Sequence, residues 1–195
     1  MEETKTDPRV LRTRQLILEA FYSLIPNKDI KDITIGDITK RATINRATFY
    51  AHYEDKYDLM EDALSKTFKE SLMQKLSCLT ELNRATLTSI IVTLCEFHTN
   101  FSKQCARSYE AMSPNIENKM IKLLKGVFQQ LLSQRDHMDE TTAQTMSAIL
   151  SWIAYGTARD WSTDGRKITP ERLAEQTVAV LSAAVREIDG IGLPV

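Results

Sequence analysis

Glycine and proline are scarce in this chain, 6 and 5 among 195 residues. Sheet-rich folds need many turns, so the scarcity points to long helices joined by short links. No apolar run approaches the roughly 18 residues that a membrane-crossing helix needs. The acidic, polar start MEETKTDPRV lacks the pattern of a secretory signal. Neither sign of charge prevails: 25 Lys and Arg stand against 26 Asp and Glu, a net charge of −1. With 43% hydrophobic residues, the chain is too apolar and too balanced in charge for a disordered protein. Cysteine is sparse and shows no ligand spacing. Cys78, Cys95 and Cys105 read as reduced thiols of a cytoplasmic protein, a redox-sensing thiol being the alternative. Enzyme motifs are missing as well. None of the three histidines, His52, His98 and His137, lies in an HExxH or Glu-x-x-His arrangement, and there is no phosphate-cradling Gly-rich loop or GxSxG elbow. No metal, cofactor or catalytic group is expected.

What remains is helical pattern almost from end to end. Asp7 can cap a first helix, Pro8 fits its first position, and Pro26 stops it, with Ile17, Phe21 and Leu24 on one face. Thr34, with Asp37 three residues on, reads as the cap of a short helix over about 35–42 that buries Ile38 and Ala42. Thr43 and Ile44 form a tight turn. Asn45 caps another short helix to about His52, and Asp55 caps a longer one through Leu59, Ala63 and Phe68. Further on, helices are predicted over about 81–103 and 115–135, with a short piece carrying Tyr109 and Met112 that Pro114 interrupts. Asp139 opens a helix to about Ser162, and Thr169-Pro170-Glu171 opens the last.

Two short helices joined by a three- or four-residue turn match the helix-turn-helix, in which the first helix braces a second that enters the DNA major groove. Charge agrees. From Ile38 to Tyr53 there is no acid, while Lys40, Arg41 and Arg46 are basic. A duplex carries a phosphate charge about every 1.7 Å, so this local cationic face matters more than the net charge of the chain.

The run TIGDITKRATINRATFYAHYEDK over residues 34–56 resembles the N-terminal DNA-binding domain of the tetracycline-repressor (TetR) family, and the likeness extends from about Arg9 to Leu59. Thr43 departs from it, standing where the family usually has glycine. The resemblance implies an all-α protein, with an N-terminal three-helix helix-turn-helix domain over 1–56 and a larger C-terminal helical bundle for ligand binding and dimerisation over 57–195. It implies a phosphate contact for Thr34, groove-facing positions for Asn45, Arg46 and Ala47, backbone or base contacts for Thr48 and Tyr50, a contact near the helix end for His52, and a phosphate for Lys56. Side-chain chemistry is compatible with these roles: an arginine can fork onto guanine and hydroxyls suit phosphate oxygens. Thr34 and Asn45 also serve as caps. His52 is divided between packing and phosphate. Phe49, Ile44 and Tyr53 read as core. Arg9, Arg12 and Arg14 either flank the DNA backbone or form a solvated face.

The segment SWIAYGTARDW over residues 151–161 is similar to the penultimate helix of many family members, whose last two helices pair subunits. The resemblance therefore implies a homodimer on an inverted-repeat operator and a small-molecule effector that releases a repressor from DNA. The alternative to the dimer is that both helix stripes face the core of one subunit. With no long apolar run, no membrane partner is expected. Candidate effector-lining residues are His98, Phe101, Tyr109, Met112, Phe128, Trp152 and Tyr155, apolar bodies with a few polar tips. Each also suits plain core. A helical adaptor for protein partners is the rival reading. It differs from DNA binding in predicting little dependence on salt.

Overall fold

The computed structural model describes residues 7–77, 81–104, 109–133 and 138–189, leaving aside the side chains of 101–104, 109–115 and 183–189. The described residues are all-α. They comprise α1 (Pro8–Leu24), a 3-10 turn (Ile30–Asp32), α2 (Ile35–Ala42), α3 (Arg46–Tyr50), α4 (Lys56–Leu76), α5 (Arg84–Gln104), α6 (Tyr109–Leu132), α7 (Glu140–Thr163) and α8 (Pro170–Asp189). Two compact units emerge. The first is Met1–Leu64 with Gln104–Met112, and the second is Ser65–Lys103 with Ser113–Val195.

In the first unit, local chemistry sets where each helix starts. Asp7 accepts the Arg9 N–H at 2.8 Å and Pro8 occupies the first helical position. Thr34 and Asp37 close a reciprocal capping box on α2: the Asp37 N–H donates to Thr34 Oγ1 at 3.1 Å, and the Thr34 N–H donates to Asp37 Oδ2 at 3.0 Å. Asn45 Oδ1 accepts the Thr48 N–H at 2.7 Å and so caps α3. Asp55 accepts the N–H groups of Tyr57 and Asp58 and so caps α4.

Five residues are too few to form a stable helix unaided, since isolated helices shorter than about 12–15 residues are marginal in water. Packing holds α3 instead. Phe49 is fully buried and Tyr53 nearly so, in a core with Ile17, Phe21, Ile30, Ile33, Ile38 and Leu59. Ile44, expected in this core, is only half-buried. The turn between α2 and α3 is left-handed at Thr43, with φ 57° and ψ 44°. The Ile44 N–H reaches back to the Thr39 carbonyl at 3.0 Å and the Thr43 N–H to Lys40 at 3.4 Å. This is the helix ending that normally uses glycine, built here on a β-branched residue.

In the second unit, Asn83 caps α5, accepting the Thr86 N–H at 3.0 Å. Leu87, Ile90, Ile91, Leu94 and Cys95 of this helix are buried. The break expected at Pro114 does not occur, because α6 runs unbroken from Tyr109 to Leu132. A proline this close to a helix start forfeits one backbone bond. The turns behind it bury Ile116, Met120, Leu124 and Phe128, which offsets that loss. Asp139 caps α7 through the Thr142 N–H at 3.0 Å, and Thr169 caps α8 through the Arg172 N–H at 3.3 Å.

Candidate nucleic-acid interface

The buried side of α3 is Phe49. Its other side presents Arg46, Ala47 and Tyr50, all exposed, Tyr50 to 55%. Tyr50 lies four residues from Arg46 and three from Ala47, spacings that put it beside both on one helical face. Lys40 and Arg41, at the end of α2, are exposed as well, and His52 just beyond α3 is half-buried. Arg41 Nε donates to Ser23 Oγ at 3.1 Å. The Arg46 guanidinium lies over Gly36, where a Cβ would stand at ordinary contact distance, 3.4 Å, from Arg46 Nη2.

Four other residues expected at DNA are engaged within the protein. The Thr34 hydroxyl accepts from the Asp37 N–H and donates to Asp37 Oδ2 at 2.8 Å, and the Thr34 N–H is taken by the same carboxylate. The capping role of Thr34 thus occupies both groups that the phosphate role would use. These bonds, the backbone N–H of Thr34 first and then Lys28, hold the Asp37 carboxyl down to about 2. Thr48 donates its hydroxyl to Asn45 Oδ1 at 2.9 Å, so Asn45 and Thr48 form a cap pair.

Lys56 is the clearest departure. Its ammonium donates to the carbonyls of Ile30 at 3.0 Å, Lys31 at 2.7 Å and Ile33 at 2.8 Å. An ammonium has three donors. All are committed to the connection between α1 and α2, and none is left for a phosphate in this arrangement.

One constellation leaves no mark in the sequence. Tyr53 donates its hydroxyl to Asp62 Oδ2 at 2.7 Å. Arg14 Nε lies 3.1 Å from both the Tyr53 oxygen and Asp62 Oδ2. The Arg14 guanidinium also sits 5.1 Å from the centre of the Tyr53 ring. Arg14 was expected on a solvated face or beside the DNA backbone, and Tyr53 in the core. No spacing pattern links positions this far apart in sequence.

In the second unit, His98 is buried, with ring centres 5.5 Å from Phe97 and 5.3 Å from Tyr155. Burial, reinforced by the charges of Arg159 and Arg166, lowers its pKa to about 4, so the ring is neutral at pH 7. Tyr155 and Phe128 are buried too. Arg159, one turn beyond Tyr155, pairs with Glu117 of α6. Trp152 does not join this interior. It is 51% exposed, three residues from Ile149, which is 42% exposed on the same outer face of α7. The side chains of Phe101, Tyr109 and Met112 lie outside the described residues.

Comparison with known proteins follows the same two-part division. Residues 17–63 match a family model described as bacterial regulatory proteins, tetR family. Residues 85–183 match one described as a transcriptional regulator C-terminal region. A HTH-type transcriptional regulator of Bacillus subtilis, YxbF, is 40% identical over 70 residues, which is 35% of this chain and 18% of that protein. AcrR of Shigella flexneri, also described as an HTH-type transcriptional regulator, is 29% identical over 116 residues, which is 48% of this chain and 54% of that protein. The chain thus aligns with about half or less of these curated relatives. Among solved structures, the TetR family repressor AlkX from Dietzia superimposes with a TM-score of 0.62 at 15% identity, covering 89% of this chain and 95% of that one. The dihydroxyacetone kinase operon activator DhaS gives 0.57 at 17% identity, covering 91% and 98%. At such identities the likeness is one of fold.

Proposed function

The chain belongs to the tetR family of bacterial regulatory proteins, and from that membership we propose a dimeric, sequence-specific DNA-binding regulator of transcription, a repressor released from an inverted-repeat operator by a small-molecule effector. The observation that carries this reading is the outer face of α3. Arg46, Ala47 and Tyr50 stand exposed on a five-residue helix whose only buried side chain is Phe49. Such a helix has little to offer a core and much to offer a groove. Arg46 can fork onto a guanine edge or a phosphate, Ala47 can meet a thymine methyl, and the Tyr50 hydroxyl can reach a phosphate oxygen. Lys40 and Arg41 add sequence-independent attraction. Thr34, Asn45 and Thr48 serve this reading by capping the two helices, and Lys56 by bracing them. His52 stands at the edge of the interface.

Helix-turn-helix units read half-sites about 34–36 Å apart when a dimer spaces them. The outer faces of α7 and α8 support such a dimer. Ile149 and Trp152 on α7 and Val180 on α8 are exposed to 42%, 51% and 66%. Large apolar side chains held in water on neighbouring helices favour burial against a second copy. The effector would bind among the helices of the second unit, near His98, Phe128 and Tyr155. The neutral His98 ring is able to donate or accept a hydrogen bond there. DNA and effector would then weaken each other's binding by one common factor.

Selection of bound duplexes from a random pool, with purified full-length protein at near-physiological salt, tests the central claim. Recovery of an inverted repeat, bound with a steep salt dependence, is the expected result. Recovery of no motif overturns it and favours a protein-binding adaptor. A reporter gene behind the recovered sequence then gives the sign of regulation.

A further inference from the structure

We propose that Arg14, Tyr53 and Asp62 form a positioning triad that sets the pose of the recognition helix α3 and so controls how sharply the protein discriminates its operator from other DNA. The inference rests on the DNA-binding reading above and adds residues that do not touch DNA.

A short helix needs its ends held from outside. At the N-terminal end of α3 this is done by Asn45 and Thr48, within the same turn. Beyond the C-terminal end, the first side chain to reach the core is Tyr53, 2% exposed and 5.9 Å from Phe49 between ring centres. Ring packing alone leaves a side chain free to slide or rotate by small amounts, because apolar contact has no direction. The hydroxyl removes that freedom. It donates to Asp62 on α4 and accepts from Arg14 on α1, so one oxygen fixes the chain following α3 against two other helices at 2.7 and 3.1 Å.

The chemistry of the three groups is complementary. Burial first, and the adjoining Asp62 carboxylate second, push the Tyr53 hydroxyl well above the usual phenol range, so it remains a donor at any physiological pH. Asp62 accepts from both neighbours, and Arg14 donates to both. Arg14 and Asp62 are 46% and 27% exposed in their side chains, and such a partly solvated ion pair adds little stability by itself. What the triad supplies is direction. Base readout through paired hydrogen bonds weakens steeply with misalignment, whereas attraction to phosphates does not. A small error in the pose of α3 therefore reduces specific binding and spares non-specific binding.

The test compares wild type with Tyr53→Phe, which removes one oxygen and no charge. Affinity is measured for the selected duplex and for a scrambled duplex, well below the unfolding temperature. Tyr53→Phe removes the bond to Asp62, while Arg14 Nε keeps Asp62 as its acceptor. The selected duplex is therefore expected to weaken roughly three- to tenfold, the range for one lost hydrogen bond, with the scrambled duplex and the salt slope unchanged. Asp62→Asn keeps an acceptor and is expected to retain most of the discrimination, while Asp62→Leu loses it. Without DNA, amide exchange at His52 and Tyr53 should quicken in Tyr53→Phe. Unchanged exchange, or equal weakening on both duplexes, overturns the triad. A wild-type protein that does not discriminate between the duplexes overturns the DNA-binding reading instead, and the exchange measurement still judges the triad.

Discussion

Thr43→Gly is expected to make this protein more stable, although it removes a side chain. Thr43 holds φ 57° and ψ 44°, the left-handed region in which Cβ crowds the following carbonyl. An L-residue other than glycine is raised there by roughly 1–2 kcal/mol, and β-branching places it at the upper end. Thr43 is exposed. Its backbone bond to Lys40, and that of Ile44 to Thr39, need no side chain and survive the exchange. Against the relief stands the greater freedom of glycine in the unfolded chain, about 0.4–1 kcal/mol. The net gain is about 1–1.6 kcal/mol, worth roughly 2–6 °C in melting temperature for a cooperative chain of this length. Both tryptophans, Trp152 and Trp161, lie in the second unit, so helix melting by far-ultraviolet circular dichroism is the suitable assay. Thr43→Ala is the control. It keeps Cβ, hence most of the strain, and should stay within about 0.5 kcal/mol of wild type. A glycine variant that melts at or below the alanine variant would refute the strain argument.

The other predictions concern charge and burial. Lys56→Met keeps the aliphatic stem and strips three carbonyls of their donor. It should cost about 2 kcal/mol in urea unfolding while leaving the salt slope of DNA binding unchanged; a slope lower by about one unit per half-site would return Lys56 to the phosphates. Arg46→Ala should weaken the selected duplex by about 1–3 kcal/mol. Relaxed preference at one base pair per half-site marks Arg46 as a base reader, and uniform weakening with a lower salt slope marks it as a phosphate contact. His98 has its folded pKa near 4 against an ordinary 6.5, so the unfolded chain binds the extra proton between those values. Its contribution is therefore present above pH 6.5 and lost as pH falls toward 4, about 3 kcal/mol in all. The difference in unfolding free energy between wild type and His98→Gln should follow that window, and a flat difference counts against a buried neutral ring. The proposed dimer predicts that wild type sediments as a dimer and Trp152→Glu as a monomer; a monomeric wild type overturns the dimer, and a variant that stays dimeric removes α7 from the subunit contact.

How far the sequence could be read depended on the range of the interaction. Caps work over two or three residues, so Asp7, Thr34, Asn45, Asp55 and Asp139 showed themselves through position and residue type alone. The same locality explains Thr43: a turn of fixed length between two capped helices forces a left-handed residue, whatever side chain stands there. Lys56 shows where positional resemblance stops. Its place at the start of α4 suits a phosphate, but the carbonyls of Ile30, Lys31 and Ile33, which occupy it, are reached only through the folded chain. Arg14, Tyr53 and Asp62 are further still from local rules, brought together across separations of 39 and 48 residues that leave no periodic mark. Trp152 is a different case. Helical spacing groups it with Ile149 and Tyr155, and periodicity says that the three are close without saying which way the core lies. The structure buries Tyr155 and leaves the other two in water. An apolar stripe wider than its own bundle can bury implies a second surface to meet it, and on α7 that excess is Ile149 and Trp152, the pair that Trp152→Glu would disrupt.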